Sequence, residues 1–155
     1  MSASAKPARI SPDQIRKASM YFAYLFMNES WVLEGLREVS QAFLRTKNST
    51  DLNWVQMLHR QALRIQKKSP VPQKEMLSSS GFRWPKNFTY ESYLKLRSLL
   101  SFEQMEALLF VVICGFSPEL TAQALGLSEG SLKLRIGKGL QSASSILANF
   151  ERGDF

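Results

Sequence analysis

Residues 100–147 read LSFEQMEALLFVVICGFSPELTAQALGLSEGSLKLRIGKGLQSASSIL, and this stretch decides the predicted fold. Ser101 and Gln104 have the spacing of a capping box, which marks the start of a helix. Apolar residues then recur at helical spacing as far as about Cys114, and Gly115 ends the pattern. The stretch therefore begins with one apolar helix.

Two shorter helical patterns follow it. Ser117 is a cap candidate because its hydroxyl can accept a free backbone N–H, and Pro118 stands where no N–H is needed. The second helix is predicted to end at Leu125-Gly126, and Ser128 is the cap candidate of the third. Three helices with a tight glycine turn between the last two form a helix-turn-helix.

The third helix has two unlike faces. Leu132, Ile136 and Leu140 share one stripe, which predicts a buried face. A basic helix start with small residues suits insertion into the major groove of DNA. The residues predicted to lie largely off the apolar stripe are Ser131, Lys133, Arg135 and Lys138.

The segment resembles region 4 of bacterial sigma factors, especially the extracytoplasmic-function group. That family carries the pattern Leu-Gly-Ile/Leu, small residue, Gly-Thr/Ser-Val/Leu-Lys, Ser, Arg. Here it appears as Leu125-Gly126-Leu127-Ser128-Glu129-Gly130-Ser131-Leu132-Lys133-Leu134-Arg135. The resemblance implies a DNA-binding transcription regulator of sigma type. The implied promoter contacts are Ser128, Ser131, Lys133, Arg135 and Lys138.

The third helix also departs from the family pattern. Leu134 stands where the family usually has serine, and glycines at positions 137 and 139 interrupt the segment that is arginine-rich in the family. A glycine in a helix interior costs about 1 kcal/mol relative to alanine. These glycines predict a helix whose end is loose or stops early.

The first half predicts a three-helix bundle. Ser11-Pro12 starts the first helix, the second runs from about Ser30 to Thr46, and the third runs from about Leu52 to Lys68. Each carries an apolar stripe at helical spacing, so each is expected to bury one face. The expected core positions are Ile15, Ala18, Phe22, Leu25 and Phe26, then Leu33, Leu36, Val39, Ala42 and Phe43, then Trp54, Leu58, Ala62 and Ile65.

This half is faintly similar to sigma region 2. The similar features are a helix ending in VSQAFLR (residues 39–45), a polar loop, and a helix that opens with Trp54. The resemblance implies contact with core RNA polymerase and with the −10 promoter element. Arg37 weakens the acidic surface that the family presents to polymerase.

The third helix gathers basic residues, and no acidic residue occurs between Leu52 and Gln73. Two interpretations stay open. Basic groups beside Trp54 can hold single-stranded DNA by phosphate attraction and base stacking, or they form a solvated face beside a core tryptophan. His59 has no cluster of metal ligands near it, so no metal site is expected. The candidate DNA contacts here are Arg60, Arg64, Lys67 and Lys68.

The chain is predicted to divide into four parts. Residues 1–10 read as a flexible tail without the apolar core of a signal peptide, and residues 11–68 form the region 2-like unit. A Pro- and Ser-containing linker covers 69–88, and its apolar residues either pack within the chain or dock into a partner. The region 4-like unit covers 89–155 and opens with a helix over about Thr89–Leu99, with Tyr93, Leu94, Leu96 and Leu99 available for burial.

Composition fits a small all-α cytoplasmic protein. The chain has 155 residues, of which 45% are hydrophobic, and a net charge of +7, which makes a polyanion a plausible partner. The single cysteine, Cys114, indicates a reducing compartment and a buried small side chain. No apolar run reaches the ~20 residues of a membrane span.

No catalytic constellation is visible, so neither an enzyme nor a cofactor is expected. Carboxylates such as Glu103 and Glu106 are interpreted as residues of helix starts and exposed faces. One hypothesis is a sigma-type regulator that binds DNA and core RNA polymerase and is controlled by an anti-sigma or other regulatory protein. The alternative is a diverged sigma-like interaction module that has lost promoter reading and binds a protein partner or a small effector.

Overall fold

The structure, a computed structural model, describes residues 9–47, 50–68 and 89–148. Within these ranges the chain forms helices and turns and no strand, which confirms the all-α prediction. None of the helices in these ranges is long and apolar enough to cross a membrane. The predicted linker and residues 1–8 of the predicted tail lie outside the described residues, so the division into two units stays a prediction.

Three helices make up the first half: α1 (Pro12–Phe26), α2 (Glu29–Leu44) and α3 (Asp51–Lys68). The start of each is fixed by a polar cap that accepts a backbone N–H from the residue three positions on. Ser11 Oγ accepts the Gln14 N–H over 3.1 Å. Asn28 Oδ1 accepts the Trp31 N–H over 3.2 Å at the start of α2, and Thr50 Oγ1 accepts the Asn53 N–H over 3.1 Å at the start of α3.

The second half has four helices: α4 (Tyr90–Leu99), α5 (Phe102–Leu108), α6 (Pro118–Leu125) and α7 (Glu129–Leu147). The α5 helix continues as a π-helical turn over Leu109–Ile113. The cap hydroxyls each accept a backbone N–H over 3.1 Å, so the serine signals at 101, 117 and 128 started helices as predicted. The caps are Thr89, Ser101, Ser117 and Ser128.

One hydrophobic core includes residues from both halves of the chain. The α3 helix packs against α2 and along α6, and α1 contacts α5. Tyr21 of α1 stacks on Phe110 of the π-helical turn, with ring centroids 4.5 Å apart. Trp54 is completely buried and meets the Phe43 ring edge-on at 5.1 Å. Contacts between distant parts of the sequence therefore hold the two halves together.

Four positions expected in the core are exposed instead: Ile15, Leu33, Leu94 and Leu99. Leu33 is 52% exposed because the buried face of α2 runs through Val32, Gly35, Val39 and Phe43. A residue next to Val32 lies about 100° around the helix from it and points away from that face.

The helix-turn-helix has a small core of its own. Ala107 of α5, Ala122 of α6 and Leu132 of α7 are buried together. Gly126 ends α6 with φ 71°, a left-handed conformation in which glycine carries no Cβ penalty. The predicted arrangement of three helices with a glycine turn is present in the described residues.

The expectation that α7 loosens or stops early was wrong: the helix runs through both glycines to Leu147. Gly139 is buried, and a Cβ placed there would lie 2.8 Å from Leu108 Cδ1. Glycine therefore lets α7 approach α5 closely. The sequence argument weighed only helix propensity, whereas packing against α5 decides the outcome.

Gly137 and Gly139 of α7 should respond oppositely to substitution by alanine. A Cβ at Gly137 meets no atom within 4 Å, so Gly137→Ala is expected to stabilise the protein by about 1 kcal/mol through helix propensity. Gly139→Ala adds a methyl group against buried Leu108, and overpacking of about 1–3 kcal/mol should outweigh that gain. Urea unfolding of both variants measures the difference, and stabilisation by both would contradict the close packing of α7 on α5.

Candidate nucleic-acid interface

The basic residues of α7 lie in its first half. Ser131, Lys133 and Lys138 are exposed and Arg135 is half-buried, whereas Leu132 faces the small core. In the second half of α7 one face is covered, since α7 packs against α5 and α4 and buries Gly139, Ala143 and Leu147 there. The exposed residues of this half are uncharged: Gln141, Ser142, Ser144 and Ser145. The basic groups of α7 are therefore concentrated at its beginning, which is the part of a recognition helix that contacts base edges in the major groove.

Ser128 has a defined local role. Its Oγ accepts the Ser131 N–H over 3.1 Å and also donates to Ser131 Oγ over 2.9 Å. It caps α7 and holds the Ser131 hydroxyl at the helix start. The assignment of Ser128 as a DNA contact stays a prediction. The same holds for the other candidate contacts on α7, which are Ser131, Lys133, Arg135 and Lys138.

Leu134 interrupts the polar surface of α7. This side chain is 59% exposed, and it stands between Lys133 and Arg135 in the sequence. An exposed leucine adds apolar area to a surface that is otherwise basic and small. It is able to contact a thymine methyl group or an apolar surface of a protein partner.

The basic residues of α3 form one exposed stripe. Positions 60, 64, 67 and 68 lie at spacings of four, seven and eight, which share one face of a helix. Trp54 is not part of this surface, because its ring is completely buried. The interpretation of Trp54 as a core residue is confirmed, so its ring is not available at the exposed basic stripe of α3. The stripe consists of Arg60, Arg64, Lys67 and Lys68.

The two basic surfaces are attached to a common helix. The α6 helix packs against α3 on one side and against α7 on another. The helices that carry the two basic surfaces, α3 and α7, therefore share α6 as a packing partner.

A buried polar cluster joins the two halves. Glu106 of α5 is 1% exposed, and its Oε2 accepts a hydrogen bond of 2.5 Å from the Tyr21 hydroxyl. The same oxygen lies 2.7 Å from His59 Nδ1, whose N–H donates to it. The expectation that Glu106 lies on an exposed face was wrong, because helices α1 and α3 cover it.

The environment of Tyr21 keeps its hydroxyl protonated. Burial and then the neighbouring Glu106 carboxylate raise the pKa of Tyr21 well above its usual value. Tyr21 therefore remains a hydrogen-bond donor to Glu106 across the physiological pH range. Glu106 thus connects α5 to α1 through Tyr21 and to α3 through His59.

The surface of α2 carries mixed charge. Arg37 Nη2 lies 3.6 Å from a Glu38 oxygen and 4.0 Å from a Glu34 oxygen, so it neutralises part of the acidic character expected there. Leu33 and Leu44 are about half exposed on the same helix. The face combines apolar and paired charged groups.

Among the described residues, no group of three or more His, Cys, Asp or Glu side chains is arranged to hold a metal ion. A comparison with known proteins finds no family model, curated protein or solved structure that matches this chain.

Proposed function

We propose that this protein is a sigma-factor-like transcription regulator that binds promoter DNA through the beginning of α7 and engages core RNA polymerase through α1–α3. One observation carries the proposal: the exposed surface of α7 is basic in its first half and uncharged in its second half, where one face packs against α5 and α4. This is how a recognition helix is mounted for the major groove.

The roles of the residues follow from their positions. Lys133 and Lys138 are exposed cations suited to phosphate contacts, and Ser131, held by the Ser128 cap, is a candidate base or phosphate contact. Arg135 is half-buried, and its long side chain is a candidate for a base contact or a phosphate contact. The chain's charge of +7 adds non-specific attraction to DNA.

The α3 stripe supplies a second electrostatic surface. Its four cations lie on one face of α3, and α3 has no acidic residue after Asp51. They are Arg60, Arg64, Lys67 and Lys68. They would attract the DNA backbone beyond the contacts of α7. Because the tryptophan is buried, this surface favours phosphate contacts over base stacking.

A second function is favoured by a specific observation. Leu134 is the most exposed of the large apolar side chains in the described residues, and it lies on α7, the proposed recognition helix. An apolar group at this point favours a protein partner over phosphates. The chain would then be a diverged sigma-like module that binds a regulatory protein.

Promoter specificity separates the two functions. Purified protein is incubated with core RNA polymerase, and bound DNA is selected from a random library at a stated salt concentration. A working sigma-like regulator predicts polymerase binding and an enriched sequence motif. Absence of both would favour the interaction module.

Substitution of the exposed lysines tests the DNA contact directly. Lys133→Ala and Lys138→Ala should each weaken binding to all DNA sequences similarly, and each lost phosphate contact should reduce the salt slope by about 0.9. Lys95→Ala on α4 removes the same charge outside the helix-turn-helix and is the matched control. Fluorescence anisotropy at several salt concentrations gives the slopes. Equal slopes in all three variants would argue against contacts through α7.

A further inference from the structure

A cavity of about 230 Å³ lies where the end of α1 meets α3, α4 and the start of α5. Its inner wall is apolar and aromatic, with Phe26, Leu96, Leu100 and Met105 all buried. None of the residues that line it belongs to α6 or α7. Binding here would therefore be separate from the proposed DNA contacts.

The cavity has a polar rim. Gln66, Arg97 and Ser101 line it and are exposed. Apolar and aromatic side chains on the inner wall, together with a few polar groups at one side, are the usual make-up of a small-molecule site. Such a site orients its ligand with the polar end outward.

The position of Arg97 is fixed by its neighbour Tyr93. Arg97 Nη1 donates to Tyr93 Oη over 2.8 Å, and the guanidinium carbon lies 5.6 Å from the centre of the Tyr93 ring. The buried Tyr93 hydroxyl in turn donates to the Leu25 carbonyl over 3.3 Å. The guanidinium is thus oriented before any ligand binds, which reduces the ordering cost of binding.

The described residues that line the cavity carry a net positive charge. Among the described residues that line the cavity, Arg97 is the one that carries a formal charge, and none is an aspartate or a glutamate. Within the described residues Arg97 makes no ion pair. A ligand with one negative charge complements this lining, and a carboxylate fits the guanidinium fork in a bidentate manner.

We propose that this cavity binds a small monocarboxylic acid with an apolar body. The carboxylate pairs with Arg97, and the apolar body lies against Phe26, Leu96 and Met105. The volume is below the range of about 300–1,000 Å³ that is typical of drug-sized ligands, so the acid carries one or two rings or a short branched chain.

The probe is 2-naphthoate, and its neutral amide, 2-naphthamide, is the matched control ligand. A ligand of roughly 13 non-hydrogen atoms and ordinary efficiency has a dissociation constant of about 10 µM to 1 mM. Calorimetric titration of the full chain is expected to give saturable one-to-one binding of naphthoate and at least ~10-fold weaker binding of the amide.

Two variants on α4 test the role of the charge. Arg97→Gln should weaken naphthoate binding at least ~10-fold and leave amide binding unchanged. Lys95→Gln removes an exposed cation from the same helix that does not line the cavity, and it should bind naphthoate as the unmodified protein does. Naphthoate binding that survives Arg97→Gln, falls equally in Lys95→Gln, or is absent at millimolar concentration would overturn the proposal.

A measurement on the unmodified protein avoids any effect of substitution on folding. Nuclear Overhauser effects are expected from the naphthoate ring protons to the Met105 methyl group and to the Phe102 ring, which both line the cavity. Saturable binding without these effects would place the ligand elsewhere and would also overturn the proposal.

Discussion

Glu106→Ala is expected to lower the free energy of unfolding by about 3 kcal/mol. The substitution removes the one acceptor shared by the Tyr21 hydroxyl and His59 Nδ1, and it leaves a cavity among α1, α3 and α5. Loss of one partner from a buried charged or hydrogen-bonded set costs about 3–5 kcal/mol. The lower end applies because the His59 side chain is partly exposed.

Two further variants show how much of the loss comes from the hydrogen bonds of Glu106 and how much from removing any carboxylate of α5. Glu106→Gln keeps the shape of the side chain and one acceptor oxygen, so a loss of about 1–2 kcal/mol is expected from the altered hydrogen bonds alone. Glu103→Ala removes an exposed carboxylate from the first turn of the same helix and should change stability by less than about 1 kcal/mol.

Urea unfolding followed by circular dichroism measures all three variants. If Glu106→Ala unfolds as easily as Glu103→Ala, the cluster does not join α1 and α3 to α5. The same experiment on Tyr21→Phe should give an intermediate loss, because this variant keeps the histidine contact with Glu106.

Cys114 is expected to react with alkylating reagents about 10³-fold more slowly in the folded protein than in the unfolded chain. Burial raises the pKa of Cys114 from 9.0 to about 12, with Asp13 adding to the rise and Lys17 opposing it. The thiol donates a weak hydrogen bond to the Lys17 carbonyl over 3.6 Å. Reactivity follows the thiolate fraction, which falls tenfold for each unit of pKa.

The raised pKa of Cys114 also makes the stability of the protein fall as the pH rises. Because the folded state holds the proton more tightly, this contribution is fully present below about pH 9 and is lost as the pH rises from 9 towards 12. Each pH unit in that window should cost about 1.4 kcal/mol. The raised pKa of Tyr21 works in the same direction at higher pH.

Iodoacetamide labelling at pH 8.5 with mass spectrometry gives the rates with and without denaturant. The chain has one cysteine, so a single mass increment reports on Cys114 alone. Cys114→Ala is the control for the pH profile, since its stability should fall less steeply above pH 9. Equal labelling of folded and unfolded protein would contradict burial of the thiol.

Helix starts could be predicted from the sequence because caps act over three residues. Serines at 11, 101, 117 and 128 each accept the backbone N–H three positions on, and each was recognisable from its neighbours alone. The glycine turn before α7 was predictable for the same reason. Local chemistry therefore specifies most of the helix-turn-helix.

The buried cluster could not be predicted in this way. Glu106 lies 85 residues from Tyr21 and 47 from His59, and nothing in the spacing of these residues connects them. The one available signal was the acidic residue within the apolar run MEALLF. The stabilising role of Gly139 could not be predicted either. It depends on how closely α5 approaches α7, which helix propensity does not describe.

The candidate interface was predicted in part. The exposure of Lys133 and Lys138 follows from the apolar period of α7, whereas the exposure of Leu134 shows that an outward position does not exclude an apolar residue. Burial of Trp54 follows from the helical stripe of α3, but its edge-on contact with Phe43 comes from the packing of two helices.

The π-helical turn after α5 affects how this chain should be aligned with others. The Cys114 N–H donates to the Leu109 carbonyl five residues back, so the turn contains one residue more than an ordinary helix. A relative with a regular helix at this point would be one residue shorter. An ungapped alignment would then offset either the residues that pair with α1 or those of the helix-turn-helix by about 100°. A single gap between Leu109 and Ile113 restores both halves at once.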